Sequence, residues 1–229
     1  MNSRFGIAPF ESFKMIEEYV SVVRAVLRGD ARGFTGEVFN TGMVPLDSPP
    51  VRADLPVYLA ALGPRMAALA GRIADGVILN LMTPAQAGEA AAIVRSAAKD
   101  AGRDPASVEV VCVVHLCLSD DEEAAAAAAR AVVPRYVLHP AAGRLWPGTD
   151  LGPVRAATLA GDRAGAAERV PQQVADGFVA HGDAGVCAAR VDEYRAAGID
   201  LPVLFPMPVG RGWDYETVIE RFKGAANVG

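Results

Sequence analysis

The turn between residues 60 and 65 is the part of the sequence best suited to hold an anionic group. Its sequence, Ala-Ala-Leu-Gly-Pro-Arg, links a short apolar strand to a helix. Gly63 would let a phosphate approach the backbone closely, and the free N–H groups at the start of a helix favour negative charge. Arg65 adds a guanidinium whose fork geometry suits phosphate. The alternative is an ordinary strand-to-helix turn with a surface arginine.

His115 is the second residue that could do chemistry. On a predicted strand it shares one face with Val113 and Cys117, because side chains alternate along a strand. It could donate a proton near a bound ring, although we favour a hydrogen-bonded histidine in the core. His139 and His181 have no carboxylate partner at a telling spacing. We expect no metal site.

Polar residues also flank the strand over residues 76–80. We expect Asp75 to anchor loop amides rather than to contact a ligand. Asn80 and Thr83 follow the strand and should face the end of the sheet where ligands bind. Thr83 is also a candidate helix cap, since Pro84 suits the first helical position and Gln86 completes a capping box.

The elements that position these residues alternate between strands and helices. Apolar runs predict strands over 56–61, 76–80, 108–118 and 201–205. Helical patterns are predicted over 13–29, 66–73, from Thr83 to near Gly102, after a Ser119–Glu122 capping box, from Asp183 to Gly198, and from near Asp214. This alternation implies parallel strands with right-handed crossovers. Composition alone leaves open whether the sheet is doubly wound or part of a (β/α)8 barrel.

The remaining segments are less regular. Residues 31–54 are rich in Gly, Pro and Asp and predict a long loop with short strands around Phe34 and Phe39. Pro134 should kink or end the alanine-rich helix that precedes it. Residues 141–170 predict helical segments without clear limits.

Length and composition exclude several classes of protein. The chain has 229 residues, of which 52% are hydrophobic and 21% charged, so a large core is expected and disorder is not. The net charge of -5 argues against a general nucleic-acid binder, which would carry a basic face. Three cysteines without a CxxC pair indicate buried, reduced thiols rather than a disulfide framework or a zinc site.

The chain also lacks recognisable targeting segments. Its first residues, MNSRFGIAPFESF, contain no apolar region typical of a signal peptide. No stretch approaches the ~18 continuous apolar residues of a membrane span. We therefore expect a cytoplasmic protein with neither nucleic-acid nor membrane partners.

Three stretches of the sequence, taken together, resemble one known family. The first spans residues 56–71 and includes Ala-Leu-Gly-Pro-Arg-Met, and the second, Ile-Ala-Asp-Gly-Val-Ile-Leu-Asn, spans 73–80. The third joins Phe-Val-Ala-His-Gly-Asp at 178–183 through a helix to Ala-Gly-Ile-Asp-Leu-Pro-Val-Leu-Phe-Pro at 197–206. Their order and spacing resemble the luciferase-like monooxygenase superfamily, and most closely its branch that uses the deazaflavin coenzyme F420, the methylenetetrahydromethanopterin reductase-like proteins. The helix over 13–29 is similar to the helix ahead of the fifth barrel strand.

The resemblance implies a fold, an activity and a site. The fold is a (β/α)8 TIM barrel, here partial, with about strands 5–8 and their helices in one domain over residues 1–229. The activity is hydride transfer between coenzyme F420 and a small organic substrate. The cofactor contacts it implies are Ala60, Ala61, Leu62, Gly63, Pro64, Arg65, Gly76 and Val77.

Two alternatives stay open within the resemblance. One is an FMN-dependent monooxygenase of the same superfamily, and the other is a non-catalytic flavin-binding or interaction protein. Family members usually begin with further residues that carry the first four strands and several catalytic groups, and we expect this half to be missing here. His115 is then the one catalytic candidate. Because a half barrel has open sheet edges, we expect a homo-oligomer, or completion by a separate N-terminal partner.

Overall fold

The structure is a computed structural model of the chain that describes residues 12–30, 32–42, 46–48, 50–139, 142–210 and 215–226. Its contacts divide the chain into two compact units. The first unit comprises residues 1–77 and 93–109, and the second comprises 78–92 and 110–229.

The first unit is built around one short strand and the helix that follows it. Its described elements are α1 (Ser12–Leu27), β1 (Phe34–Thr35), β2 (Asn40–Thr41), β3 (Tyr58–Ala61), α2 (Pro64–Ile73), the start of β4 (Gly76–Asn80) and the second half of α3 (Pro84–Asp100). Strands β1 and β2 pair antiparallel, as the short strands expected near Phe34 and Phe39.

A carboxylate on α1 holds the β1–β2 hairpin in place. Glu18 is only 4% exposed, and it accepts hydrogen bonds from the backbone N–H groups of Glu37, Val38 and Phe39 at 2.8, 2.9 and 2.9 Å. Lys14 lies 4.0 Å away on the same helix. Burial acts to raise the pKa of Glu18, but the three backbone donors and Lys14 together hold it below its ordinary value.

A second carboxylate, that of Asp75, fixes the start of β3. Its Oδ2 accepts hydrogen bonds from the backbone N–H of Val57 at 2.8 Å and from Nη2 of Arg24 at 2.7 Å. The backbone N–H of Asp75 donates to the Val57 carbonyl at 2.9 Å, and its own carbonyl accepts from Glu109 at 3.0 Å. Asp75 is therefore the anchor of loop amides that the sequence predicts.

The second unit contains most of the sheet and its helices. Its described elements are the rest of β4, the first half of α3, β5 (Glu109–Leu118, from Val110 onwards), α4 (Glu122–Val132), α5 (Ala142–Leu145), α6 (Gly152–Leu159), α7 (Arg163–Glu168), α8 (Gln172–Phe178), β6 (Val179–Gly182), α9 (Ala184–Ala196), β7 (Leu201–Pro206) and α10 (Tyr215–Ala226). A 3₁₀ turn over Val133–Arg135 follows α4, so Pro134 ends that helix as expected.

The sheet of this unit is parallel around β5. In the register of the strands, His115 of β5 pairs with Val179 of β6 and with Phe205 of β7. Within this unit the strand order is β4-β5-β6, and β7 also pairs with β5. These parallel strands with intervening helices confirm the α/β class expected from the sequence.

One local expectation is wrong, and two short elements were not predicted. The unpredicted elements are α8 and β6, which are only 7 and 4 residues long. The helix α4 is not capped by a Ser119–Glu122 box, because Oδ1 of Asp121 accepts from the backbone N–H of Ala124 at 3.0 Å. The hydroxyl of Ser119 instead accepts from the backbone N–H of Asp121 at 3.1 Å, just before the helix begins.

Other expectations about helix ends are confirmed. Thr83 and Gln86 form a reciprocal capping box, with backbone-to-side-chain distances of 2.9 and 3.2 Å. Asp183 caps α9 by accepting from the N–H of Val186 at 2.9 Å. The expected helix start near Asp214 lies outside the described residues. Of the helices that the structure describes, none is both long and apolar enough to cross a membrane.

Replacing Glu18 by Gln should destabilise the first unit in a pH-dependent way. Because the pKa of Glu18 is lowered on folding from 4.5, its contribution is full above that pH and is lost as the pH falls through the folded value. Urea unfolding across this range should show the advantage of the wild type over the Gln variant shrinking towards low pH. Glu17→Gln on the same helix is the control, and an equal effect of the two substitutions would contradict this role of Glu18.

Candidate functional site

The turn between β3 and α2 forms an uncapped helix start. Gly63 occupies the cap position, has an extended backbone and offers no side-chain cap, and Pro64 begins the helix. The Gly63 carbonyl accepts from the N–H groups of Met66 and Ala67 at 3.1 and 3.0 Å. Ala61 is buried at 1% exposure, whereas Ala60, Pro64 and Arg65 are exposed. The turn therefore presents its backbone and the arginine outward.

Neither backbone conformation nor packing within the described residues requires a glycine at position 63. Its φ of -164° is extended backbone, which any residue adopts. A Cβ built on Gly63 would meet no heavy atom within 4 Å. The space beside this backbone is therefore open to a group from outside the unit, which is what a phosphate-binding turn needs.

Arg65 is held by a contact that the sequence does not reveal. Its guanidinium lies over the ring of Phe13 on α1, at 4.1 Å from the ring centroid. Such stacking uses the flat face of the guanidinium and leaves its N–H groups, which point outward in the same plane, available to an anion. The arginine is thus positioned against α1 without losing its capacity to bind phosphate.

Gly76 and Val77 are placed differently from Gly63. A Cβ on Gly76 would come within 2.1 Å of the Tyr58 ring, so packing alone accounts for this glycine. The hydroxyl of Tyr58 donates to Glu109 at 2.5 Å, which fixes the ring. Val77 is fully buried. A ligand could reach these two residues only through their backbone atoms.

His115 lies in the core of the second unit. It is 1% exposed, and its Nε2 is 2.9 Å from the hydroxyl of Tyr136. The rings of Tyr136, Phe178 and Phe205 surround it edge-on, at centroid distances of 5.4, 5.9 and 5.5 Å. Its Nδ1 has no hydrogen-bond partner among the described residues. This is the environment of a core histidine, and no exposed edge of the ring faces solvent.

Burial also sets the charge of His115. Burial, and to a smaller extent the charge of Arg135, lowers the pKa of the imidazole to about 4. The ring is therefore neutral near pH 7.

The segment after β4 is fixed by side chains of the second unit. Leu81 has a φ of 59°, which is unusual for a residue other than glycine, and Oδ1 of Asn80 accepts from its backbone N–H at 2.8 Å. The buried Tyr194 donates its hydroxyl proton to the Met82 carbonyl at 2.7 Å. Asn80 and Thr83, which the sequence places near a ligand, thus use their side chains to hold the local backbone.

One polar pair, His181 and Asp176, was not predicted from the sequence. His181 has a carboxylate partner after all, because its Nε2 lies 2.8 Å from Oδ1 of Asp176. Gln172 donates to the same oxygen at 2.6 Å, and Arg190 donates to the Asp176 carbonyl at 2.9 Å. A spacing of five residues does not predict a contact unless it is known that α8 leads directly into β6.

The chain offers few features of a metal site. Within the described ranges, no group of three or more His, Cys, Asp or Glu side chains could hold a metal ion. Cys112, Cys117 and Cys187 are buried free thiols, and burial raises the pKa of each to about 12. Such thiols are protonated and are poor metal ligands at neutral pH.

Comparison with known proteins gives a consistent match. Residues 1–201 match the family model described as luciferase-like monooxygenase. A 5,10-methylenetetrahydromethanopterin reductase from Methanolobus tindarius is 27% identical over 217 residues, which cover 90% of this chain and 64% of that protein. The chain thus spans somewhat less than two thirds of the length of this curated relative.

Solved structures agree with the sequence match. The coenzyme F420 dependent tetrahydromethanopterin reductase from Methanopyrus kandleri superimposes with a TM-score of 0.79 at 26% identity, over 93% of this chain and 61% of that chain. An F420-dependent secondary alcohol dehydrogenase, in complex with an F420-acetone adduct, gives a TM-score of 0.75 at 20% identity, over 98% of this chain and 64% of that one. The second likeness concerns the fold alone.

The buried state of His115 predicts its titration. Since its folded pKa of about 4 lies below its ordinary value of 6.5, the stability that it contributes is full above pH 6.5 and is lost as the pH falls towards 4. The imidazole NMR signal of His115, assigned with a His115→Phe variant, should stay in its neutral position as the pH falls through 6.5 and should move only as the pH approaches 4. A midpoint close to 6.5 would contradict the buried, neutral ring.

Proposed function

Because the chain belongs to the luciferase-like monooxygenase family, we propose that it is an oxidoreductase that works with coenzyme F420. This match confirms the family that was expected from the sequence. Relatives named as tetrahydromethanopterin reductases support the choice of cofactor, one of them described as F420 dependent. In the proposed reaction, a hydride passes between the deazaflavin and a small organic substrate.

The cofactor site that we propose is the turn after β3. Ala60, Ala61, Leu62, Gly63, Pro64 and Arg65 would hold the phosphate of the coenzyme, with backbone atoms of Gly76 and Val77 close by. The open space beside Gly63 is the observation that carries this assignment. The uncapped start of α2 and the outward N–H groups of Arg65 fit an anion at the same place.

The coenzyme and the residues of the chain would have separate roles. Coenzyme F420 supplies two-electron hydride chemistry when it is bound. The turn binds and orients it, and Asp75 keeps β3, which ends in the turn, in position. His115 contributes a neutral, buried ring, so we assign it to the core and not to proton transfer.

An FMN-dependent monooxygenase is the second candidate function. It is favoured by the description of the matching family, which is named for monooxygenases. The two functions differ in cofactor, and yellow flavin that copurifies with the chain would favour FMN. A non-catalytic flavin-binding protein is the third candidate, and turnover by the isolated chain would exclude it.

We also propose that β7 is covered in the working protein. Its alternating side chains Leu201, Val203 and Phe205 are 45%, 39% and 48% exposed, and among the described strands β7 pairs with β5 alone. An apolar strand with an unpaired edge invites association. The occupant would be a second copy of the chain or a partner that supplies further strands. The single domain and the cytoplasmic location expected from the sequence stay predictions.

Gly63→Ala should weaken cofactor binding without weakening the fold. A methyl group would fill the space that the phosphate needs. The affinity for F420, measured by fluorescence titration, should therefore fall tenfold or more. A tenfold loss corresponds to about 1.4 kcal/mol of binding free energy. The free energy of unfolding should change by less than ~1 kcal/mol.

One control variant and a second titration make this test decisive. Gly143→Ala adds a methyl group at another open glycine and should leave F420 affinity unchanged. Equal affinities for the wild type and Gly63→Ala would refute the site but not the function. No saturable F420 binding by the folded wild type would refute the function, and a parallel titration with FMN would identify the second candidate.

Val203→Lys should reduce association. A charge in the middle of the exposed face of β7 disfavours its burial against another apolar surface. Sedimentation velocity should therefore detect smaller species for the variant than for the wild type. Lys in place of the exposed Val186, which lies on a helix, is the control. A wild type that is monomeric at all accessible concentrations would rule out self-association and leave the separate partner.

A further inference from the structure

A cavity of about 530 Å³ lies in the second unit, between the end of α4, the 3₁₀ turn after it, α6 and α7. This volume is typical of sites for small organic molecules. The residues of its wall that matter here are Ala131, Pro134, Arg135, Thr158, Arg163 and Ala166. None of them belongs to the proposed cofactor site.

The charged side chains that line the cavity are both arginines. Arg135 lies in the 3₁₀ turn and Arg163 is the first residue of α7, and no acidic residue lines the cavity. Across the described part of the chain, neither guanidinium has a hydrogen bond or an ion pair to another side chain or to the backbone. Two like charges in the lining of one cavity make it attractive to an anion.

The carboxylate that lies nearest to Arg163 in sequence, that of Asp162, already has hydrogen-bond and ion-pair partners. Asp162 accepts from the N–H of Gly165 at 2.8 Å and so caps α7. Its other oxygen lies 3.8 Å from Nη1 of Arg169. Asp162 is therefore held at the start of its own helix, and its ion-pair partner is Arg169 and not Arg163.

The charge of Arg135 also acts inside the unit. After burial, which is the larger cause, the charge of Arg135 lowers the pKa of His115. A neutralising partner for Arg135 would weaken this effect.

The other wall residues indicate what kind of anion fits. Ala131, Pro134 and Ala166 are apolar, and the hydroxyl of Thr158 already donates to the Val154 carbonyl at 2.8 Å. The two guanidiniums are then the donors for a ligand, and their fork geometry matches a phosphate bidentately. The apolar wall suits the carbon skeleton that carries the phosphate.

We propose that this cavity binds a small organic phosphate through Arg135 and Arg163, and that this ligand is distinct from the coenzyme. A phosphate monoester carries a charge of roughly -1.5 to -2 at neutral pH. This charge matches the combined positive charge of two guanidiniums. The site gives the chain a second ligand of defined chemistry, independent of whether the cofactor proposed above is F420 or FMN.

Calorimetric titration of the full chain with phenyl phosphate tests the proposal. The wild type should bind it saturably, and more weakly as salt is added. The double variant Arg135→Gln/Arg163→Gln should lose tenfold or more in affinity. Both arginines are exposed, so these substitutions should leave the fold intact, as a thermal melt would verify.

Two controls separate specific binding from general charge. Arg155→Gln removes an exposed arginine of α6 that lines a different cavity, and it should leave the affinity unchanged. Benzyl alcohol, which has the ring without the phosphate, should not bind saturably. The proposal is overturned if the folded wild type does not bind phenyl phosphate, or if the double variant binds as tightly as Arg155→Gln does.

Titration with F420 distinguishes the new ligand from the coenzyme. The double variant should bind F420 with the affinity of the wild type, because the arginines are not part of the turn after β3. A tenfold loss of F420 affinity would mean that the cavity takes the phosphate of the coenzyme, which would overturn the claim of a distinct ligand. Failure of F420 to bind the wild type would affect only the proposed function.

Discussion

The position of the candidate cofactor turn depends on the carboxylate of Asp75. One oxygen of this residue receives both the N–H of Val57 and the guanidinium of Arg24, and its backbone joins the same strand and Glu109. Strand β3 begins next to these bonds and ends at the turn. Although partly exposed, Asp75 ties α1, β3 and the start of β5 together, which is why a loop residue matters more to the site than most residues of the core.

The sequence was sufficient for the longer elements and for most of their ends. Periodicity and side-chain caps are local, and so Thr83, Asp183 and Pro134 act as their neighbours in sequence imply. Where two local caps compete, the sequence does not decide, and Asp121 replaced Ser119 at the start of α4. Short elements such as β6 carry too few residues for a pattern, and the His181–Asp176 pair was missed with it.

The candidate site was predictable only in part, because the meaning of a glycine depends on its surroundings. Gly63 and Gly76 look alike in sequence, yet one adjoins open space and the other packs on the Tyr58 ring. The stacking of Arg65 on Phe13 is equally invisible, since the two residues lie on different helices. The arginine cavity is formed by two separate stretches of the chain, residues 131–135 and 158–166. Contacts of this kind belong to tertiary structure, and no spacing rule gives them.

The pairing of β5 with β7 has a consequence for how the chain is made. The carboxylate of Asp200, just before β7, receives the N–H of Val110, which lies 90 residues earlier. During synthesis, β5 therefore leaves the ribosome long before this partner exists, with its valine-rich edge unpaired. Contacts so distant in sequence form slowly, and partly folded chains with open strand edges aggregate. A chaperone that shields β5 until β7 has been made should therefore raise the yield of folded protein.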